Sequence, residues 1–464
     1  MPFFAILLLG ACGSDGSPID QHLNQIEETP DSGDDLSGGD ADGPLAGDAG
    51  ADHEELPPGA SADSGAPDQP ANPGSPSTPS TPVTGTKPAQ SWSGMRVGTN
   101  FWFLSAGWAE EAWSSGVNFA TSMNPWNPAF LSDLEEADYS VYRFMDFGGT
   151  NNSSIRNWAD RTQQSATGNS NGGDVGGRGI AYEWMFDLCN RMQKDCWITV
   201  PHLAIESYEA NADDNFFTSL AKLAKEKLDP GLTLYVEYSN ETWNPGFGQS
   251  TYCQNRGTQM MLADDSYGAS FKFHVYASSR MYDAFVKVYG SEIARVRWVV
   301  SGQLGSDYGT QMQLEALADP NVNFGSRTPD YYAISNYVGA DGSVNGNAAD
   351  VAAQFRKALT DMVTWATSQK NLISKTSMKL ISYEGGQHLL QGADAFSRNQ
   401  VAYDLYKEWL DASAKLYAMT THYANSGSWS SSGAWGAKEK TGGALSQNPK
   451  ARAIVDWVKN HPAK

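Results

Sequence analysis

Two glutamates, Glu241 and Glu384, closely follow runs of residues that are typical of buried β-strands. The first run covers 232–239 and the second covers 378–383. Two carboxyl groups that face each other across a cleft suit the cleavage of a glycosidic bond, because one can protonate the leaving oxygen while the other attacks the anomeric carbon. Burial and like charge would separate the pKa values of such a pair and so divide the two roles.

The elements that must position these glutamates repeat along 91–464. The sequence predicts eight strands, at 96–102, 140–145, 197–200, 232–239, 296–301, 331–335, 378–383 and 416–421. It predicts helices at 127–137, 180–192, 213–228, 256–288, 311–318, 348–370, 393–413 and 449–460. Strands separated by helices favour parallel pairing through right-handed crossovers, and eight such units predict a closed (β/α)8 TIM barrel. A doubly wound open sheet is the alternative, but the first strand is not followed by the glycine-rich turn that often marks that fold.

A TIM barrel builds its active site at the carboxyl ends of its strands. The predicted fourth and seventh strands lie on roughly opposite sides of the ring, so Glu241 and Glu384 can face each other across the barrel mouth. Other polar residues near strand ends are Arg143, Asp146, His202, Asn240, Gln303, Asp307, Asn336, Tyr337, Gln387, His388, His422 and Tyr423. We include Gln303 among the predicted substrate-binding residues.

Two short motifs resemble a known group of enzymes. Tyr238-Ser239-Asn240-Glu241 after the fourth strand and Tyr383-Glu384 after the seventh are similar to motifs of the retaining TIM-barrel glycosidases in clan A, which includes glycoside hydrolase family 5. The resemblance spans about 95–440 and rests on short motifs alone. It is closer to the clan than to the family, because Asn336 precedes Tyr337 where that family often has a His.

The resemblance implies a role for each matching residue. Glu241 would be the acid/base, Glu384 the nucleophile, and Asn240 a ligand of the sugar 2-hydroxyl. Arg143 and Tyr337 would hold the nucleophile. His202 and a late Trp would complete the sugar site.

Each of these residues also has a structural interpretation. Glu241 could cap a helix, and Glu384 could be a turn residue before two glycines. Arg143 could pair with an acid only to support the fold, and His202 could be a core histidine. Glu237 lies on the same strand face as Glu241, so it is either a buried partner for an Arg or a reserve candidate for an essential carboxylate.

Six tryptophans fall at strand ends or in the loops that follow, and sugars stack well on such rings. They are Trp102, Trp108, Trp126, Trp243, Trp429 and Trp435. We expect two or three of them to bind sugar, with Trp243 and Trp429 the leading candidates and Trp435 a further one. Several stacking positions favour an internal cut in a polysaccharide. The spacing of His202, His388 and His422 matches no zinc signature, so we predict neither a metal nor a cofactor.

Charge is distributed unevenly along the 464 residues, whose formal net charge is −21. Residues 13–90 contain fifteen Asp and Glu but one Lys and no aromatic residue, which predicts a disordered linker. No cluster of Lys and Arg offers a basic face for phosphates, so nucleic acid is not an expected partner. No apolar run reaches the ~18 residues that a membrane-spanning helix needs.

The first twelve residues resemble a bacterial lipoprotein signal. Leu9-Gly10-Ala11-Cys12 follows an apolar run and is similar to a lipobox, although no Lys or Arg precedes that run. The resemblance implies lipidation at Cys12 and an exported protein, either secreted or held at the cell surface or outer membrane by its lipid alone. The alternative is an incidental Cys. A monomer is the default expectation for a tethered hydrolase.

Cys189 and Cys196 are seven positions apart, so in an exported protein they are a candidate short-loop disulfide. Two buried free thiols are the alternative, and Cys253 is expected to be buried and unpaired.

These observations lead to one functional hypothesis and two alternatives. The hypothesis is a retaining β-glycanase that acts on a glucan, mannan or xylan type of backbone. One alternative is a barrel that binds carbohydrate without hydrolysing it. A serine esterase is disfavoured, because no strand is followed by a Gly-x-Ser-x-Gly turn.

Overall fold

The computed structural model describes residues 94–102, 110–171, 178–211, 214–339 and 348–461. The predictions for the signal at 1–12, including Cys12, and for the linker at 13–90 lie outside these residues. Trp108 also lies outside them. In the part that is described, no helix is long and apolar enough to span a bilayer.

Eight parallel strands close into a barrel in sequence order, with β1 paired to both β2 and β8. The strands are β1 (Arg96–Asn100), β2 (Val141–Arg143), β3 (Asp195–Val200), β4 (Leu234–Tyr238), β5 (Val296–Ser301), β6 (Tyr331–Gly339), β7 (Lys379–His388) and β8 (Met419–His422). The predicted TIM barrel is confirmed. The main difference is the length of β6 and β7, which continue past the predicted ends and place Glu384 within β7.

The described residues form eleven α-helices around the strands. They are α1 (Pro128–Ala137), α2 (Tyr182–Met192), α3 (Ala204–Glu209), α4 (Phe216–Lys227), α5 (Gly248–Gln259), α6 (Ser266–Tyr289), α7 (Asp307–Ala318), α8 (Ala348–Ile373), α9 (Ala393–Arg398), α10 (Gln400–Ala414) and α11 (Pro449–Asn460).

Two helices predicted as continuous are each divided by a cap. The stretch predicted at 256–288 contains parts of α5 and α6. Met261 has a left-handed backbone (φ 54°), and the Asp265 side chain then accepts a hydrogen bond from Gly268 N at 2.8 Å. Asn399 caps α10 by accepting from Val401 N at 3.0 Å. Because local side chains satisfy the first free N–H groups, a new helix can begin at each point.

The barrel interior is packed with side chains from alternate strand positions, from one helix and from the turn after β4. This buried cluster contains Val141, Trp197, Tyr235, Trp243, Phe271, Val299, Ala333, Ile381, Tyr383 and Met419. A second and larger apolar cluster includes residues of both strands and helices. The close approach of β6 and β7 above the core requires a glycine at 385, since a Cβ there would overlap Oδ1 of Asn336.

Cys189 and Cys196 are free thiols, so the disulfide prediction is wrong and the buried-thiol alternative holds. Both side chains are fully buried in the apolar core. Burial raises the pKa of the Cys189 thiol well above its usual value. Cys253 is buried and free, as predicted.

Candidate active site

The turn after β4 holds Glu241 in an unusual backbone conformation. Ser239 and Glu241 both have left-handed backbones, with φ of 59° and 41°. A non-glycine residue in this region costs roughly 1–3 kcal/mol, and such residues cluster at functional sites. Asn240 lies between them. Asn240 and Glu241 are thus positioned by a strained turn at the carboxyl end of β4.

Arg143, at the end of β2, is the centre of the buried polar network. Its guanidinium group bonds to Oε2 of Glu237 at 2.9 Å, to Oε2 of Glu384 at 3.3 Å and to Oδ1 of Asn240 at 2.8 Å. A fourth bond at 3.1 Å reaches Asn100 Oδ1 on β1. Because Arg143 is fully buried, this single cation connects four strands without competition from water.

Aromatic rings enclose the guanidinium group of Arg143. Its Cζ lies 5.3 Å from the ring centre of Trp197 and 5.1 Å from that of Tyr383. Trp197 also donates its indole N–H to Oε2 of Glu237 at 2.9 Å. Glu237 is therefore the buried partner of an Arg, which is one of the two roles predicted for it.

Glu384 is 3% exposed and has two donors. Arg143 binds Oε2, and the Tyr337 hydroxyl donates to Oε1 at 3.2 Å. Burial and the negative charge of Glu241 raise the pKa of Glu384 to about 8, although Arg143 and the Tyr337 hydroxyl act in the opposite direction. The negative charge of Asp146 raises it further.

Glu241 is 5% exposed, and both of its partners are neutral groups. Asn244 Nδ2 donates to Oε2 at 2.9 Å, and the Tyr383 hydroxyl donates to Oε1 at 2.9 Å. Burial raises the pKa of Glu241, and the nearby charge of Glu237 adds to that effect. The donors Asn244 and Tyr383 and the charge of Arg143 lower it in part.

The carboxyl groups of Glu241 and Glu384 are close enough that the ionisation of one disfavours the ionisation of the other. With Glu241 ionised, the pKa of Glu384 is about 8, so the pair retains one proton at neutral pH. The salt bridge to Arg143 favours charge on Glu384. Among the described residues Glu241 is bonded to two neutral groups and to no cation, so of the two carboxyl groups it keeps the shared proton more readily. The arrangement thus provides one carboxylate and one carboxylic acid at the same pH.

Two further amide side chains fix Asn240. Its Nδ2 donates to Oδ1 of Asn151 at 3.0 Å, and Gln249 Nε2 donates to the same oxygen at 2.7 Å and to the Asn240 carbonyl at 2.8 Å. These bonds hold the Asn240 amide in one orientation. Its Oδ1 is thereby directed towards Arg143.

A third carboxyl group, that of Asp146, lies near the pair. The Tyr423 hydroxyl donates to Asp146 Oδ2. Burial raises the pKa of Asp146 to about 6, against the lowering effects of Tyr423 and Arg143. The Tyr423 ring lies 5.8 Å from Trp102, which contacts Trp435 at 5.6 Å.

Trp435 and His388 extend the group of aromatic rings formed by Tyr423 and Trp102 towards Tyr337. The indole N–H of Trp435 donates to His388 Nδ1 at 3.1 Å, and the His388 ring lies 5.5 Å from that of Tyr337. Burial lowers the pKa of His388 to about 4, so the ring is neutral. Of the predicted tryptophans, Trp102 and Trp435 are thus the ones that lie beside Glu384 and its partners.

Trp243 and Trp429, the two leading candidates, are packing residues in the structure. Trp243 is 4% exposed, and its ring lies parallel to Phe271 at 6.1 Å inside the barrel. Trp429 is 7% exposed, donates its N–H to the Gly436 carbonyl at 2.9 Å and lies 4.6 Å from Lys450 Nζ. Trp126 is fully buried. Trp102 and Trp435 are equally buried, so their position beside the partners of Glu384, and not their exposure, separates them from these rings.

His202 and Gln303 lie away from the carboxyl pair. The His202 ring packs against Tyr252 at 5.2 Å, and burial together with the charge of Arg156 lowers its pKa to about 4. Gln303 Oε1 accepts from the Tyr267 hydroxyl, on the outer side of Phe271. Neither residue is hydrogen-bonded to Glu241, Glu384 or Arg143.

Several residues of the network were missed by the sequence analysis. Asn100, Asn151, Asn244, Gln249 and Tyr383 each take part in at least one of the bonds described above, and none of them was assigned a role from the sequence. Tyr383 and Asn244 lie within four residues of the glutamates, so a closer inspection of those motifs could have found them. Asn151 lies in a turn and Gln249 in the first turn of α5, and neither carries a local signal.

Among the described residues, no three His, Cys, Asp or Glu side chains are grouped so as to hold a metal ion. His422 is occupied by other bonds, to the Tyr406 hydroxyl at 3.2 Å and the Ala424 carbonyl at 3.0 Å.

Comparison with solved structures identifies the class of fold. The chain is similar to AbfB, a family 51 α-L-arabinofuranosidase from Bifidobacterium longum, with a TM-score of 0.51 and 11% identity over 80% of this chain and 75% of that one. A 4-O-α-L-rhamnosyl-β-D-glucuronidase from Fusarium oxysporum 12S matches with a TM-score of 0.46 and 12% identity, over 80% of this chain and 71% of that one. At these identities the likeness shows the fold, a TIM barrel similar to those of glycoside hydrolases.

A broad-specificity endoglucanase of type GH5-4 from Clostridium acetobutylicum is a further match, with a TM-score of 0.44 and 13% identity over 78% of this chain and 97% of that one. The sequence matches no protein-family model and no curated protein.

Proposed function

We propose that this protein is a retaining glycoside hydrolase with Glu384 as nucleophile and Glu241 as acid/base. The observation that carries the proposal is the pair itself: two buried carboxyl groups, one just past the end of β4 and the other within β7, one held by a cation and the other by neutral donors. Double displacement needs this difference, because the nucleophile must be ionised when the acid is protonated.

In the first step, the carboxylate of Glu384 attacks the anomeric carbon while Glu241 gives its proton to the leaving oxygen. Arg143 and the Tyr337 hydroxyl orient the attacking carboxylate. In the second step, Glu241 takes a proton from water, which attacks the same carbon and releases Glu384. The sugar keeps its anomeric configuration, since each displacement inverts it once.

Asn240 is suited to bind the sugar beside the nucleophile. Its side-chain amide is bonded to Arg143 and Asn151, and Gln249 holds both Asn151 and the Asn240 backbone carbonyl, so Asn240 needs little reorganisation when substrate binds. We propose the sugar 2-hydroxyl as its ligand, and a β-linked polysaccharide backbone as the substrate.

The substrate at the reacting centre should be uncharged. Glu237, Glu241, Glu384 and Asp146 outnumber Arg143, the cation bonded to this network. An anionic sugar would meet net repulsion in a buried site, where charges are poorly screened. Neutral glucan, mannan and xylan backbones therefore fit better than uronic acid polymers.

The test is hydrolysis by the full chain of a soluble β-glucan, a glucomannan, a xylan and a polygalacturonate. We expect cleavage of at least one neutral polymer and none of the polygalacturonate. Proton NMR of the first product should show the β-anomer before mutarotation. An α-anomer would contradict retention.

Variants separate catalysis from binding. Glu384→Gln should abolish cleavage, while Glu408→Gln, which removes a surface carboxylate from α10, should retain it. If the unaltered chain binds a polymer but cleaves none, the alternative of a non-hydrolytic carbohydrate-binding barrel replaces the proposal.

A further inference from the structure

A series of aromatic rings leads from Glu241 to the protein surface. Tyr383 donates to Glu241, and its ring lies 6.1 Å from Trp243. Trp243 lies parallel to Phe271 at 6.1 Å, and Phe271 meets Tyr267 edge-on at 5.0 Å. The rings from Tyr383 to Phe271 therefore form a continuous buried series that reaches the first turn of α6.

The series ends at an exposed ring. Tyr308 lies parallel to Tyr267, with ring centres 6.4 Å apart and planes 13° apart, and it is 42% exposed. Large exposed aromatic side chains are uncommon where packing alone decides the residue. The series thus passes from a buried wall to a ring that is open to solvent.

Topology places Tyr267 and Tyr308 at the mouth of the barrel. Tyr267 lies in the first turn of α6, whose other end leads into β5. Tyr308 lies in the first turn of α7, which follows the end of β5. Both first turns are therefore at the carboxyl ends of the strands, the same end as the two glutamates.

Polar groups flank the two tyrosine rings. The Tyr308 hydroxyl donates to the exposed carboxylate of Asp265, and the Tyr267 hydroxyl donates to Gln303 Oε1. The bond from Tyr308 and one from Gly268 N lower the pKa of Asp265, so it remains ionised. Ring faces beside fixed acceptors match a sugar, which presents C–H groups on its faces and hydroxyl groups at its rim.

A second exposed ring borders the same loop. Trp365 of α8 is 41% exposed, and its ring lies against Gly305, in the loop between β5 and α7. Ser368, one turn further along α8, donates to Asp307 at 2.6 Å. These contacts fix Trp365 beside the turn that carries Tyr308.

We propose that Tyr267, Tyr308, Asp265, Gln303 and Trp365 form a binding track for the leaving-group portion of a glycan chain. The track starts on the side of Glu241, the residue that would protonate the leaving oxygen, so the sugars beyond the cleaved bond would occupy it. The inference rests on the proposed function for its direction. It assigns the substrate class as a polymer that extends several sugars beyond the cleaved bond.

The experiment compares two variants in which alanine replaces one of two equally exposed aromatic residues. Tyr308→Ala removes the end of the track, and Phe324→Ala removes a ring that is also 42% exposed but follows the far end of α7. Both are made in the full chain, once alone and once with Glu384→Gln. Binding of soluble β-glucan, glucomannan and xylan is measured on the Glu384→Gln proteins, where hydrolysis cannot interfere.

We expect Tyr308→Ala to weaken polymer binding about 10-fold, the effect of ~1.4 kcal/mol, while Phe324→Ala leaves it unchanged. In the hydrolytically competent proteins, the ratio of kcat/KM on polymer to kcat/KM on an aryl glycoside should fall about 10-fold for Tyr308→Ala. Trp365→Ala should act in the same direction with a smaller effect.

The outcomes distinguish the track from the proposed reaction. Equal polymer binding by Tyr308→Ala and Phe324→Ala, or an unchanged ratio of the two substrates, would overturn the track. The absence of any polymer binding would overturn it as well. If Tyr308→Ala loses binding but the unaltered chain hydrolyses neither substrate, the track stands and the proposed catalysis fails.

Discussion

Glu384 and Glu241 belong to one buried network, yet their immediate partners differ in charge. Glu384 is bound by a guanidinium group and a hydroxyl, whereas Glu241 is bound by an amide and a hydroxyl. The difference teaches that position at a strand end does not assign the proton. The nearest cation decides which of the two carboxyl groups keeps the proton, because burial makes the charge of that cation effective over a few ångströms.

The largest expected effect comes from removing each carboxylate in turn. Glu384→Gln should lower kcat by about 10³-fold or more on every substrate, because the nucleophile is lost. Glu241→Gln should cause a similar loss only where the leaving group needs a proton. The measurement is kcat/KM on aryl glycosides whose phenols differ in pKa.

A steep dependence on leaving-group pKa is expected for Glu241→Gln alone. The same slope for both variants would contradict the assignment of roles.

Arg143→Met should have the largest effect on stability. It leaves Glu237 buried without its cation, at a cost of about 3–5 kcal/mol in the free energy of unfolding. Denaturant unfolding would measure it. The matched control is Arg156→Met, which breaks a surface pair with Glu206 and should change that free energy by less than about 1 kcal/mol.

Arg143→Lys sharpens this test, since it keeps the charge but cannot bond to Glu237, Glu384 and Asn240 together. Stability and kcat equal to those of the unaltered chain would show that the multiple bonding is unimportant.

Two variants that each remove one tyrosine hydroxyl should shift opposite limbs of the pH profile of kcat/KM. Tyr337→Phe removes a donor that favours ionised Glu384, so the pKa of Glu384 rises and the acidic limb moves up by about one unit. Tyr383→Phe removes a donor that favours ionised Glu241, so the pKa of Glu241 rises and the alkaline limb moves to higher pH. The measurement is kcat/KM against pH on one aryl glycoside.

Tyr403→Phe is the control, because that hydroxyl donates to Asp456, away from the carboxyl pair. Movement of the same limb in both site variants would mean that the roles are not divided as proposed.

Asp146→Asn should give the smallest shift of the acidic limb of the pH profile, and this shift should be towards lower pH, opposite to that of Tyr337→Phe. The charge of Asp146 raises the pKa of Glu384, so its removal lowers that pKa and moves the acidic limb down by about half a unit. The pH profile of the same aryl glycoside measures it. Asp307→Asn, which alters a carboxylate at the rim bonded to Ser368, should leave the limb unmoved.

Much of the fold could be predicted because the signals are local. The strand β5 and the helix α11 were predicted with their observed ends. Apolar periodicity and caps act within a few residues, so they are visible in the sequence. The breaks before α6 and α10 were missed although Asp265 and Asn399 were visible, because long apolar patterns on both sides outweighed a single cap.

The site was predicted less completely. Glu241, Glu384, Arg143, Asn240 and Tyr337 belong to one hydrogen-bonded network, whereas the motifs implied only that Arg143 and Tyr337 hold Glu384. His202 and Gln303 do not join it. A residue that follows a strand can point into the mouth, into the core or towards a helix, and spacing along the chain does not decide among these directions.

By itself, the sequence determined the eight-unit barrel and the two strand ends that carry Glu241 and Glu384. It also raised the lipid anchor at Cys12, which remains a prediction. The tertiary structure alone decided that Arg143 lies between Glu237 and Glu384, that Trp243 and Trp429 are packing residues and that Tyr308 is open to solvent. Those outcomes depend on groups brought together from distant parts of the chain, and desolvation and charge act through space rather than along the sequence.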